Sequence, residues 1–171
     1  LGCGGFPEKG AEAAKESLQE VKQSLKESDM VFVCAGMGGG TGTGGAPIVA
    51  EVARATGAIV IGTVTMPFKI ERARVDKAEF GLERLRDVSD TVIVIDNNRL
   101  VNIAGNLPIQ QAFAVANELI ATMIKGIVET IAVPSLVNLD YADVRAIMKN
   151  GGVAAIGVGA SDTTDRVGEA V

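Results

Sequence analysis

The chain has no histidine, no tryptophan, one tyrosine and two cysteines, Cys3 and Cys34. Without an imidazole, nucleophile triads built on histidine and nearly every zinc site are excluded. Two isolated thiols with no CxxC spacing fit a reducing cytosol rather than a disulfide framework. Positive charge is also scarce: sixteen basic residues stand against twenty-one acidic ones, the net charge is −5, and no Lys/Arg run exceeds two. The electrostatic footprint of a DNA or RNA binder is missing, so no nucleic-acid partner is expected. Long apolar runs are absent too. "GAIVIGTVTMPF" is short and "IATMIKGIVETIAV" is interrupted by Lys125 and Glu129, well under the roughly 20 residues of a membrane span. The opening "LGC" has neither a charged segment nor an apolar run before it, so no direct membrane insertion is expected.

What is abundant is glycine, and much of it is in one place: "GMGGGTGTGG", Gly36 to Gly45, holds seven in ten positions. The rest is 47% apolar and 22% charged, a soluble globular composition with enough apolar residues for a real core. The chain starts at Leu1 and its last residues, "DTTDRVGEAV", read as the opening of a helix, so a fragment of a longer protein is expected.

Along the chain, "EKGAEAAKESLQEVKQSLKES" spaces Ala and Leu among charges as a surface helix does. "DMVFVCA" reads as a buried strand, and the glycine run follows it. "APIVAEVARATG" reads as a helix with Pro47 in its first turn and Gly57 at its end. "AIVIGTVTMPF" is a second strand halted by Pro67, "ERARVDKAEFGLERLRDV" a helix, "DTVIVID" a third strand and "NNRLVNIAGNLP" a loop with room for one helical turn. From Pro108 a helix of about twice the usual length runs to Ala132. A loop, a short helix "YADVRAIMKN" and a strand "GVAAIGVGA" end the chain. Apolar strands alternating with helices predict an α/β fold, a Rossmann-like parallel sheet with helices on both faces.

Strand, glycine loop, helix is the arrangement in which unpaired backbone N–H groups and a helix dipole meet an anion, most often phosphate. Thr41 and Thr43 add hydroxyls as donors or metal contacts. A Walker A loop is excluded because no lysine lies between Met30 and Arg54. Gly40, Gly42 and Gly45 match GxGxxG, but the dinucleotide fingerprint also asks for an acidic residue at the next strand end. "TVTMPF" offers none, which counts against a nucleotide-cofactor oxidoreductase.

Read as "GGGTGTG", Gly38 to Gly44, the loop resembles the signature of the tubulin/FtsZ superfamily. So do "VTMPF", "GLERL", "DTVIVI", "QAFAVANELI" and "VNLDYADVRAIM", in order over nearly the whole chain. The resemblance is to the FtsZ branch, prokaryotic cell-division GTPases, in its archaeal form. It implies residues 1–107 as a GTP-binding domain lacking its N-terminal part and 108–132 as a long connecting helix. Residues 133–150 become a catalytic loop with a short helix, and 151–171 the start of a truncated α+β activating domain. The substrate implied is GTP with Mg²⁺, and the partner a second copy of the protein in a head-to-tail homopolymer. Cell-division proteins and membrane tethers would bind through regions outside the chain, and the location would be the cytoplasm at a mid-cell ring. A cell-shape GTPase of the same superfamily and a non-hydrolysing filament protein are the alternatives. These 171 residues alone are expected to bind GTP weakly or not at all.

Residue by residue, the resemblance implies phosphate binding by Gly38, Gly39, Gly40, Thr41, Gly42 and Thr43. Glu71 matches a glutamate on the ribose side. The companion arginine position falls on Val75, and a one-residue shortening before Gly81 brings Arg74 into register. Glu71 in a charged helix start also has a plain dipole reading. Asn97 is implied beside the sugar and base, Phe113 under the guanine and Asn117 at its edge. Asn117 is a poor helix former in mid-helix with an amide that offers donor and acceptor, whereas core packing explains Phe113 equally well. Asn138, Asp140 and Asp143 match an activating loop that serves the next subunit by orienting the attacking water. Asp140 as N-cap with Asp143 three residues on is also an ordinary capping arrangement.

Overall fold

The computed structural model describes residues 2–99, 109–132, 141–148 and 152–153. Helix α1 (Pro7–Glu16) opens with proline, whose missing N–H costs nothing in a first turn. The single surface helix expected over 8–28 is two, because the chain breaks at Ser17 before α2 (Leu18–Ser24). Only α1 buries residues, Pro7, Gly10 and Ala11, so the two halves answer to different packing.

Strand β1 (Met30–Gly36) leads through a short loop into α3 (Thr41–Ala55). Strand β2 (Ile59–Met66) ends before Pro67, which has no N–H for the ladder. A 3-10 turn (Lys69–Glu71) precedes α4 (Ala73–Val88), and β3 (Thr91–Asp96) follows. The long helix, α5 (Ile109–Ala132), has the expected extent; α6 (Tyr141–Met148) and β4 (Gly152–Val153) complete the described elements. The strands lie parallel in the order β1-β2-β3-β4. Met30 pairs with Ile59, Ile61 with Thr91, and Thr91 with Gly152. The described start of the 151–171 stretch is therefore a strand of this same sheet.

Alternation along parallel strands buries both faces. On one, Val31, Val33, Val60, Val64 and Val92 pack against Ala46, Ala50 and Ala53 of α3 and Ala78, Leu82 and Leu85 of α4. On the other, Ile59, Ile61 and Ile93 pack against Met123 of α5, with Met30, Phe32, Ile124, Ile127 and Met148 partly buried around them. Each such Val or Ile taken fully from water contributes about 1.5–3 kcal/mol. Asp90 pins the entry of β3: its N–H donates to the Val60 carbonyl at 2.9 Å, and its carboxylate accepts the Val60 N–H at 2.8 Å. Among the described residues, no helix is long and apolar enough to cross a membrane.

Candidate functional site

The glycine run is shorter as a loop than its sequence suggests, because α3 begins at Thr41 and takes in Thr41 to Gly45. Pro47 accordingly lies inside the helix rather than in its first turn. The reason is packing: a Cβ on Gly44 would collide with the Pro7 carbonyl, and one on Gly10 with the Gly40 carbonyl. Helices α1 and α3 thus cross backbone to backbone, and glycine serves that contact as well as the loop.

The loop proper runs from Met37 to Gly40. The Met37 N–H donates to the Thr65 carbonyl at 2.9 Å, extending the β1–β2 pairing to the strand end. Gly38 has φ +100°, which L side chains avoid. Its N–H donates to Thr43 Oγ1 at 2.8 Å. Thr43 is 1% exposed, so its hydroxyl faces inward and braces the loop, whereas Thr41 is exposed. Beside Gly39 there is open space. Helix α3 has Gly40 at its N-cap position, with no side-chain cap and no acidic residue in its first turn. Its leading N–H groups have no intrahelical acceptor, and no carboxylate competes for the positive end of the dipole. That is a place for an anion.

A second wall was not singled out from sequence. Gly4 and Gly5 both have positive φ, +54° and +76°, and the Phe6 N–H closes the turn on the Cys3 carbonyl at 2.9 Å. This turn rests on the glycine loop: a Cβ at Gly40 would lie 3.0 Å from the Phe6 carbonyl oxygen, and the Thr41 hydroxyl donates to Cys3 Sγ at 3.6 Å. The signal was the "GCGG" at the start, whose paired glycines announce a left-handed turn.

After β2, the Phe68 N–H donates to Glu71 Oε1 at 3.0 Å, and Arg74 Nη1 meets Glu71 Oε2 at 2.8 Å. It is Arg74, not Val75, that stands beside Glu71. Arg72 between them has φ 35°, a left-handed value for a non-glycine residue, so the tight passage into α4 is bought with local backbone strain. The Glu71 carboxylate, with about four lone-pair sites, keeps acceptor capacity after these two bonds. Gly38 touches the same segment, since a Cβ there would lie 3.0 Å from the Arg74 carbonyl oxygen.

At the end of β3, Asn98 donates from its N–H and its amide to Asp96 Oδ1, at 2.8 and 2.7 Å, and accepts from the Lys69 N–H at 3.1 Å. Asn97 is 7% exposed and its Oδ1 is buried with no hydrogen-bond partner in the protein. Leaving such an atom unpaired costs about 1–3 kcal/mol, so it is an acceptor in want of a donor. Phe113, 43% exposed, sits with its ring 6.1 Å from that of Phe68, and Asn117 is exposed one helical turn further along α5. The glycine loop, the Glu71–Arg74 pair, Asn97 and Phe113 therefore all lie at the carboxyl ends of the parallel strands. That is where open α/β sheets hold ligands.

From Phe113 beside Phe68, α5 descends past Ile120 against Ile95 to Met123 and Ile127 in the cluster of Ile59 and Ile93. Its 24 residues cover about 36 Å at 1.5 Å each, so α5 ends near the strand starts. β4 re-enters the sheet there, level with Thr91. Asp143, exposed in the first turn of α6, belongs to the segment between those two points. Asn138 and Asp140 lie outside the described residues. Among the described residues, no three His, Cys, Asp or Glu side chains converge on a metal position.

Residues 1–105 match the profile of the "Tubulin/FtsZ family, GTPase domain". The chain belongs to the tubulin/FtsZ family. It is 61% identical over 166 residues to "Cell division protein FtsZ 2" of Methanocaldococcus jannaschii, covering 97% of the chain and 44% of that protein. It is 54% identical over 171 residues to "Cell division protein FtsZ 1" of Thermococcus kodakarensis, covering 99% of the chain and 46% of that protein. Among solved structures, "FtsZ dimer, empty (M. jannaschii)" superposes with a TM-score of 0.91 at 50% identity, over 99% of the chain and 50% of that one. The chain thus spans about half the length of the tubulin/FtsZ proteins it matches, and its parallel sheet with helices on both faces is their fold.

Proposed function

We propose that the protein containing this chain binds GTP at the carboxyl ends of β1 to β3 and hydrolyses it between subunits of a head-to-tail filament during cell division. One observation carries the reading. An uncapped helix start with open space beside Gly39 stands at the end of β1, with Glu71 and Arg74 following β2 and Asn97 following β3, while Phe113 meets Phe68 of the segment after β2. The segment bearing Asp143 departs from the opposite end of the sheet.

In this reading Gly39, Gly40, Thr41 and Gly42 take the phosphates on backbone amides, while Gly38, whose N–H is held by the Thr43 hydroxyl, shapes the loop with Thr43 as brace. Glu71 and Arg74 take the ribose, Asn97 gives its unpaired acceptor a partner, Phe113 stacks on the base and Asn117 reads its edge. Mg²⁺ keeps several waters and binds largely through substrate phosphates. The exposed Thr41 hydroxyl is a protein oxygen within this loop that suits such an ion; when bound, the ion would offset phosphate charge. Asp143, with Asn138 and Asp140, orients the attacking water on the nucleotide of the adjoining copy. A separation of about 20 Å along a seven-residue strand argues against Asp143 reaching the nucleotide of its own chain. One face offering nucleotide and the opposite face offering the trigger make a heterologous contact that does not close, which generates filaments.

The test is GTP turnover against concentration in the full-length protein and in Asp140→Ala and Asp143→Ala. Specific activity should rise steeply with concentration, and each substitution should cut turnover at least about 100-fold while GTP binding survives. Flat specific activity, with variants that only lose stability, would reduce the aspartates to helix caps.

A further inference from the structure

Lys77 lies in α4, partly buried, and its side chain leaves its own helix. Its ammonium donates to the Gly5 carbonyl at 2.7 Å and stands 5.4 Å from the centre of the Phe6 ring. Lys9 stands at the same 5.4 Å from that ring. Phe6 is 53% exposed, so its ring does not fasten the turn by burial in the core. The turn of Gly2 to Phe6 has two consecutive glycines at positive φ and belongs to no strand, so its backbone is free to take many conformations unless tied. Its contacts with Gly40 and Thr41 press it on the phosphate loop. Lys77 ties the same turn to α4, the helix whose start carries Arg74.

We propose that Lys77 is a positioning residue for the nucleotide. It holds the Gly2–Phe6 turn against Gly40, fixing the second wall of the phosphate cradle, and brings a cation to a loop with no lysine of its own. A charge-assisted bond to a carbonyl is among the stronger tethers available to an exposed turn. This rests on the GTP-binding reading above. Preorganising a wall before the ligand arrives removes an ordering cost from binding, so the effect should appear in affinity.

The test uses the full-length protein and two variants. Lys77→Met keeps the aliphatic stem without the donor, and Lys77→Arg keeps charge and donor. Without nucleotide, amide exchange at Gly4 to Phe6 should be faster in Lys77→Met and restored in Lys77→Arg. The Kd for GTP should rise about tenfold in Lys77→Met and stay within about twofold of wild type in Lys77→Arg, with Tm moved by less than about 2 °C in both. Unchanged exchange and Kd in Lys77→Met would overturn the proposal. So would weakened binding that tracks a fall in Tm and is not rescued by arginine, since that is a merely structural role. If the wild-type protein itself fails to bind GTP, the functional reading falls and takes this proposal with it. If wild type and Lys77→Met bind alike, only the proposal falls.

Discussion

The two faces of the sheet are built from different materials. Toward α3 and α4 the helices contribute Ala46, Ala50, Ala53 and Ala78, and glycines whose missing Cβ lets backbones touch: Gly44 on Pro7, Gly42 on Gly36, Gly81 on Thr43. Toward α5 the partners are Met123, Ile124 and Ile127 over Ile59, Ile61 and Ile93. Backbone cannot rearrange to fill or vacate space, whereas methionine and isoleucine can change rotamer. The glycine loop hangs from the rigid face and Phe113 from the adaptable one. The GTP-binding site proposed above, which would hold phosphate oxygens on fixed amides while admitting a purine between side chains, would be served by that division.

The comparison breaks most sharply at Gly44. Alanine there puts a methyl into the Pro7 carbonyl, and neither backbone can yield without parting α1 from α3. Gly44→Ala should cost about 3 kcal/mol or more, the upper end of overpacking, and should disorder the phosphate loop with it. Urea unfolding reads the first effect and GTP titration the second. A loss under about 1 kcal/mol would show that α1 is free to slide and that this face is not rigid.

Deletions sharpen the contrast at smaller scale. Leu85 is 0% exposed and sits over Gly62, where a Cβ would lie 3.0 Å from its Cδ2; Met123 is 5% exposed among flexible neighbours. Both alanine variants leave a cavity, and large-to-small changes of this kind cost about 2–5 kcal/mol, less where the site can collapse. Leu85→Ala should lie near the top of that range and Met123→Ala near the bottom. Equal costs, or the reverse order, would remove the distinction between the faces.

Much of this was legible in the sequence, for identifiable reasons. The three strands announced themselves as apolar runs closed by Gly36, Pro67 and Asp96, and α5 by its helical spacing. The start of α3 was not legible, because seven glycines in ten look like a loop when some are there for a helix crossing, and only the partner helix tells the two uses apart. The break at Ser17 was hidden by continuous helical spacing. Within the site, Glu71 and Arg74 follow from matching residues to a known pattern, but the inward turn of Thr43 and the reach of Lys77 to Gly5 depend on distant elements meeting. No local pattern encodes a contact across seventy-two residues.

The smallest effect concerns where the adaptable face thins out. Cys34 lies at the β1 edge, in register with Thr63 and on the side of Phe32, and it is exposed. Burial of the thiol by the sheet nonetheless pushes its pKa up, with the Thr63 hydroxyl partly opposing this. The unfolded chain then ionises first as pH rises, so this thiol's contribution to stability is whole below the unfolded pKa of about 8.5 and is lost as pH climbs through the folded one. Iodoacetamide labelling of Cys34, followed by peptide mass spectrometry across pH 7 to about 10, should be slower than for an unburied thiol, with its midpoint displaced upward. A midpoint at or below the ordinary value would mean that the sheet edge leaves the sulfur as well hydrated as in the unfolded chain. The α5 face would then give this thiol no shelter along its β1 edge.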